Sequence, residues 1–214
     1  MKRYVRTPGV FISLCLVFLI ACGQSEGVEQ TPSSPAPPVG TTLWPAPSDP
    51  MTLAVEAGLE PATQEFLDYH VHAHLDVFVD GEGVEVPAAI GIDIDDPAVR
   101  VFEEPNGTAY GGIDPPCEDP CISPLHTHSP DGVLHTESVE AQPNTLGQFF
   151  IEWDVALDGG CVSEYCAPDT SIQIFLDGDP FEGDPADIEL TDGLEIAIVI
   201  GSPPADIPSG FPAS

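Results

Sequence analysis

From His70 to Val79 the chain reads HVHAHLDVFV, an alternation of two that no helix can exploit. In a strand, side chains of period two line opposite faces, so Val71, Ala73, Leu75 and Val77 point one way. His70, His72, His74 and Asp76 point the other way. The segment is therefore a strand with one apolar face and one face loaded with titratable groups. Asp80-Gly81 turns it, and Val84-Glu85-Val86 is the expected return strand. A weak echo, IQIFLDG at 172–178 against LDVFVDG at 75–81, predicts a second hairpin of similar design without requiring a duplication. Ile188 to Leu190 and Leu194 to Ile200, joined by Thr191-Asp192-Gly193, are expected to form another. Its last strand is apolar on both faces and so central. Short helices are expected at 51–58, begun by Asp49 or Pro50, and at 145–153, capped by Thr145. Residues 102–121 are expected to be a long loop. The predicted fold is mostly β, a small antiparallel sandwich or barrel with one or two short helices.

All six histidines of the chain fall in such strands: His70, His72, His74, His126, His128 and His135. On one strand, residues two apart share a face with Cα atoms about 6.6–6.8 Å apart. Two imidazoles at that spacing can converge on one ion at the about 2.0–2.1 Å of a Zn–N bond, and Cu(II) takes similar ligands. Three on a straight strand are harder to bring to one ion, because the outer pair stands about 13 Å apart at Cα. A site should therefore use an adjacent pair from 70–74 together with histidines from the 125–138 hairpin. Register decides which. A four-residue loop, Ser129 to Gly132, sets His126 opposite His135 and His128 opposite Val133, so that all three share a face. A bulge at Gly132 would turn His135 away. The first register is preferred because it also sets Leu134 beside Leu125 on the core face. Asp76 and Glu137 are expected as ligands or as partners that orient imidazoles. Tyr69 and Gln148 are weaker polar candidates.

The four basic residues are Lys2, Arg3, Arg6 and Arg100, against 36 acids, for a formal net charge of −32. Nothing in such a chain could neutralise a phosphate backbone or carry a polybasic membrane patch, so nucleic acid is excluded as a partner. Lys2, Arg3 and Arg6 precede an apolar run from Gly9 to Ala21, about 13 residues long, which suits a signal peptide better than a membrane span. Leu19-Ile20-Ala21-Cys22 resembles the bacterial lipobox, which implies lipidation of Cys22. The expected organisation is a signal peptide at 1–21, a disordered Pro/Ser-rich tether at 22–50, and one His-cluster domain at 51–214 with a loose tail after 202. Trp44 is the tether's one large apolar residue and a candidate to dock on the domain. The expected location is the cell surface or the periplasmic face of a membrane, with the lipid as the sole membrane contact. Cleavage before Cys22 would leave Arg100 alone against all 36 acids. That balance is read chiefly as a solvated, soluble acidic surface, with a high-salt setting or attraction for cations as the alternatives.

Cys117, Cys121, Cys161 and Cys166 remain, an even number on the oxidising side of the membrane, where disulfides are the default. The local pairs 117–121 and 161–166 are favoured over the other connectivities. A Cys-Cys-His-His zinc site is the alternative use of these thiols.

Around YHVHAHLDVFVDG, CISPLHTHSPDGVLHTES and TLGQFF, over roughly residues 66–201, the chain resembles a group of secreted bacterial and archaeal proteins with a His-rich domain. The resemblance implies a common extracytoplasmic fold and carries no assigned activity. In that group an acidic residue often follows the second His of LHTH. Ser129 stands there in this chain, which removes a carboxylate from that point. Copper-zinc superoxide dismutases, cupins and carbonic anhydrases also place His-x-His on strands, but none of their longer signatures is present. G-x-S-x-G, P-loop and H-E-x-x-H motifs are absent as well. The expected function is capture or delivery of a divalent transition metal, copper or zinc. The alternatives are a His-ligated metalloenzyme and a non-metal cell-surface binding or structural module. Met51 is the one methionine outside the signal segment, which excludes a Met-rich Cu(I) carrier. The sequence identifies no protein partner.

Overall fold

A computed structural model describes residues 42–212, so the expected signal segment, Cys22 and most of the tether lie outside the described residues. Helix α1 spans Pro50–Glu56. Strands β1 (Tyr69–Val79), β2 (Glu82–Val84), β3 (Arg100–Glu104), β4 (Gly107–Gly111), β5 (Leu125–His126) and β6 (Val133–Ser138) follow. Helix α2 (Leu146–Glu152) precedes β7 (Cys161–Val162), β8 (Tyr165–Cys166), β9 (Ile172–Leu176), β10 (Asp179–Phe181) and β11 (Leu194–Ile200). The described chain is mostly β with two short helices, as its patterning predicts. Its main sheet is open and does not close into a barrel.

That sheet has the order β10-β9-β11-β1-β6-β5, and β2 also pairs with β1. Two turns reflect the Asp-Gly signals directly. Asp80-Gly81 and Asp177-Gly178 each form a two-residue loop with positive φ at both positions. This is the hairpin geometry whose twist matches the strands it joins.

Three expectations are corrected. Ile188–Leu190 does not pair with β11. Glu189 bridges Thr145 instead, and β11 runs parallel to β1 from Ala73↔Leu194 to Val79↔Ile200. The turn before β11 is tied to β1, since Gly193 N–H donates to the His72 carbonyl and His72 N–H to Asp192 Oδ1. Residues 102–121 are not one loop, because β3 and β4 form a hairpin around Pro105-Asn106. Every residue of β3 is exposed, so no buried face leaves a periodic mark on its sequence. The return strand β2 begins directly after the turn and ends at Val84.

One sheet face is apolar. Ala73, Leu75 and Val77 of β1 and Ile196, Ile198 and Ile200 of β11 pack with Ala54 of α1 and with Leu146, Phe149 and Phe150 of α2. Burying each of the large side chains contributes roughly 1.5–3 kcal/mol. Helix α2 begins with a reciprocal cap. Thr145 accepts from Gln148 N–H, and the Gln148 side chain accepts from Thr145 N–H. Packing starts before α1, since Trp44 lies edge-on to Trp153, whose Nε1–H donates to the Trp44 carbonyl. The last residues of the expected tether thus belong to the domain.

The opposite face divides in two. Phe78, Ala197 and Val199 form a small apolar cluster against which Phe175 and Ile207 pack, so the tail after residue 202 lies against the sheet. The other half carries the histidines. The segment between β2 and β5 adds a second core of Ala89, Ile92, Val99, Ile113 and Ile122 around the Cys117–Cys121 disulfide. The second disulfide is Cys161–Cys166. With all four sulfurs bonded to each other, no thiolate is left for a Cys-Cys-His-His zinc site.

Candidate metal centre

The site follows from strand pairing. His135 of β6 lies opposite His72 of β1 and, on its other side, opposite His126 of β5. Three neighbouring strands therefore place His72, His135 and His126 in one row across the sheet. One step along, His70 pairs with Glu137. The preferred register of the 125–138 hairpin is the observed one as far as His126↔His135. Beyond it β5 peels away. Thr127 exchanges backbone bonds with the Ala89–Ile90 segment, and the His128 carbonyl accepts from Tyr110 N–H. His128 nevertheless projects beside His126, with ring centroids 4.6 Å apart.

The loop Ser129–Gly132 is stapled by Asp131, which accepts from Ser129 Oγ and from Val133 N–H. Gly132 has φ +79° and passes so close to β1 that an added Cβ would lie 2.6 Å from the Leu75 carbonyl oxygen. This backbone is open to glycine and strained for other residues.

Two of the donors are pre-set as ligands. His126 Nδ1 lies 2.8 Å from the Ser123 carbonyl, and His128 Nδ1 lies 2.6 Å from the Tyr110 carbonyl. A carbonyl can only accept, so each Nδ1 carries a proton, and in the neutral ring each Nε2 presents a lone pair. Those Nε2 atoms stand 3.2 Å apart. With both rings neutral they have no proton to share, and with His128 protonated its Nε2–H donates to His126 Nε2. Two ligands on one tetrahedral ion at about 2.0–2.1 Å would stand about 3.3–3.4 Å apart, which this spacing matches.

Glu137 sits at the middle of the group. Its Oε1 is 3.1 Å from His70 Nε2, 3.5 Å from His135 Nδ1, 3.8 Å from His126 Nε2 and 3.9 Å from His128 Nε2. Its Oε2 and His135 Nδ1 are buried without a hydrogen-bond partner among the described residues. Unpaired buried polar atoms cost about 1–3 kcal/mol each, a cost that a bound cation would remove. His126, His128, His135 and Glu137 form one group that could hold a metal ion, and His70, His72 and His135 form another.

Electrostatics separates the members. Burial, reinforced by His128, holds His126 well below the ordinary imidazole value. Burial also lowers His135 and His72, so all three favour the neutral, ligating form. Burial alone would raise Glu137, but His128, His135 and His126 hold it well below the usual carboxylate range. Burial pulls His128 down, and Glu137 and the Tyr110 carbonyl reverse that and leave it raised.

His74 and Asp76 do not join this group. Continuing along β1, His74 lies opposite Glu195 of β11, and its Nδ1 is 2.9 Å from Glu195 Oε2. Its Nε2 is 2.9 Å from the Asp131 carbonyl. The carbonyl can only accept, so Nε2 carries a proton, and Nδ1 is engaged by the Glu195 carboxyl group, which commits both edges of the His74 ring to the protein. Asp76 completes this buried triad at 3.8 Å. Burial opposes the charge on His74, while Glu195 and Asp76 overcome that and raise it. Burial raises Asp76 and pushes Glu195 up to about 7. Sequence reasoning missed Glu195, although it is the one acid in the apolar run LEIAIVI. Gln148 is used in the α2 cap and in a bond to the Ala57 carbonyl, and Tyr69 pairs with Ser138 at the strand end.

A cavity of about 280 Å³ opens beside the centre, lined by His126, Glu137, Ser123, Glu65, Phe66 and Glu140 among others. No helix among the described residues is long and apolar enough to cross a membrane. No family model matches the chain, and neither a curated protein nor a solved structure matches it.

Proposed function

We propose that this chain binds a divalent transition metal, zinc or copper(II), through His126, His128, His135 and Glu137, and that it does so outside the cytoplasm, tethered by lipid on Cys22. The observation that carries the metal assignment is the pair of Nε2 atoms 3.2 Å apart, each ring fixed from behind by a backbone carbonyl. Three imidazoles and one carboxylate suit zinc or copper(II) and lack the all-oxygen character that calcium and magnesium take. The test is elemental analysis of the full-length, untagged protein after dialysis in molar NaCl, which strips ions held loosely by surface carboxylates. Retained zinc or copper that is lost in His126→Ala supports the assignment. No retained ion in the wild type would make the chain a non-metal binding or structural module. The Cys22 assignment rests on the signal-like segment and the lipobox resemblance. Cys22→Ser should release the protein from membranes or leave its precursor uncleaved.

A second function is favoured by the cavity on Glu137 and His126, which is large enough for a small molecule or several waters. In that case the ion would act on a bound substrate as a Lewis acid or by activating water. Turnover of any substrate that depends on the same four donors would establish it.

A further inference from the structure

The centre holds more donors than one ion can use. His126, His128, His135 and Glu137 fill four positions, the usual complement for zinc, yet His70 and His72 stand against the same group. The His70 and His72 rings are 4.4 Å apart, and the His72 and His135 rings are 4.5 Å apart. His70 Nε2 also reaches Glu137 Oε1 at 3.1 Å. His135 belongs to both donor groups and lies between them, paired with His72 on one side and His126 on the other.

We infer that the sheet holds two divalent ions side by side, the second on His70, His72 and His135, with His135 common to both. An imidazole carries nitrogens on two edges, so one ring can serve two ions once its N–H proton is released to solvent. The carboxylate of Glu137 also has two oxygens, one of them unpaired among the described residues, and is the second group able to span both ions. The two positions differ in exposure. The His126 side chain is fully buried, whereas that of His70 is 33% exposed. The first ion is therefore enclosed, and the second sits at the mouth of the site, where it exchanges faster. This inference rests on the proposed metal-binding function and extends it from one ion to a pair.

The experiment is a zinc stoichiometry on the metal-stripped, full-length, untagged protein, reloaded and dialysed in molar NaCl. It is paired with Cu²⁺ electron paramagnetic resonance at two equivalents. The wild type should retain two zinc ions per chain, and the His70→Ala/His72→Ala variant one. Two Cu²⁺ ions in the wild type should broaden or silence each other's signal, and the variant should give the spectrum of an isolated ion. The spectroscopic test needs no variant to fold. One ion in the wild type, with an uncoupled Cu²⁺ spectrum, would overturn the pair, leave the single site standing and reduce His70 to a partner that positions Glu137. Two ions in both proteins would place the second ion elsewhere and overturn the assignment to His70 and His72. No ion in the wild type would remove the single site itself.

Discussion

His126 and His128 point their Nε2 atoms at one another across 3.2 Å while each Nδ1 is spent on a backbone carbonyl. With both rings neutral and no cation between them, two lone pairs face each other in a buried space. With one, the same geometry becomes two bonds. The first prediction follows from that contrast. His126→Ala or His128→Ala should weaken zinc binding by more than the roughly 10–100-fold that loss of an orienting partner costs. His74→Ala should leave affinity almost unchanged and instead lower stability by about 3–5 kcal/mol, because it strands buried carboxylates. Competition with a chromophoric chelator measures the first effect and denaturant unfolding the second. Equal affinity losses for all three variants would sink the division into two sites.

Stability of the metal-free protein should fall on both sides of a pH optimum, for two different reasons. His126, His72 and His135 are lowered in the fold, so their contribution is lost as pH falls below about 6.5. Glu137 is also lowered, and its contribution is lost further down, below the ordinary carboxylate value. His74, Asp76 and Glu195 are raised, so their contribution is complete at low pH and is lost as pH rises, for Glu195 through about 7. Glu195→Gln should flatten the alkaline limb and leave the acid limb in place, as read from melting temperature between pH 4 and 9. An unchanged alkaline limb would remove the triad from the explanation.

Glu152 of α2 is fully buried, and neither carboxylate oxygen has a hydrogen-bond partner among the described residues. Burial pushes its carboxyl well above the usual range, and Ser123 offsets only part of that. A raised acid binds its proton more tightly in the folded state. Stability therefore falls as pH climbs from about 4.5, by about 1.4 kcal/mol for each pH step until the folded acid ionises. Glu152→Gln should stabilise the protein at pH 8 and change little at pH 4. Unfolding free energies at the two values decide it, and an equal gain at both would argue against the buried-acid account.

Salt should raise the melting temperature. With 36 acids against four basic residues, self-repulsion is long-ranged, and the Debye length shrinks from about 10 Å at 0.1 M to about 3 Å at 1 M. A rise between 0.05 and 1 M NaCl in the metal-free protein is the expected result. A flat response would show the carboxylates too well dispersed to repel.

Much of this was legible in spacing alone. Period two marked β1 and β6, a four-residue turn set His126 opposite His135, and the reach of an imidazole disfavoured a site using all three histidines of 70–74. What spacing could not supply was the order of strands. That β6 lies between β1 and β5, giving the row His72, His135, His126, depends on pairings between distant segments. The separation of His74 depends on Glu195, 121 residues away, arriving opposite it on a parallel neighbour. The β3–β4 hairpin escaped for a different reason. A strand with no buried face carries no alternation to detect.

The ladder pairing His72 with His135 and His135 with His126 has a consequence for how such a sequence can drift. Donors counted in twos tolerate a change of letter better than a change of length. One residue gained between Gly132 and Leu134 would swing His135 and Glu137 into the apolar core and turn Leu134 onto the opposite face. In the 85–124 segment, which touches the centre through the Tyr110 and Ser123 carbonyls, the exposed tip of the β3–β4 hairpin is free to lengthen or shorten. Insertions and deletions in descendants of this chain should therefore collect in the segment that roofs the centre and be purged from the strands that floor it.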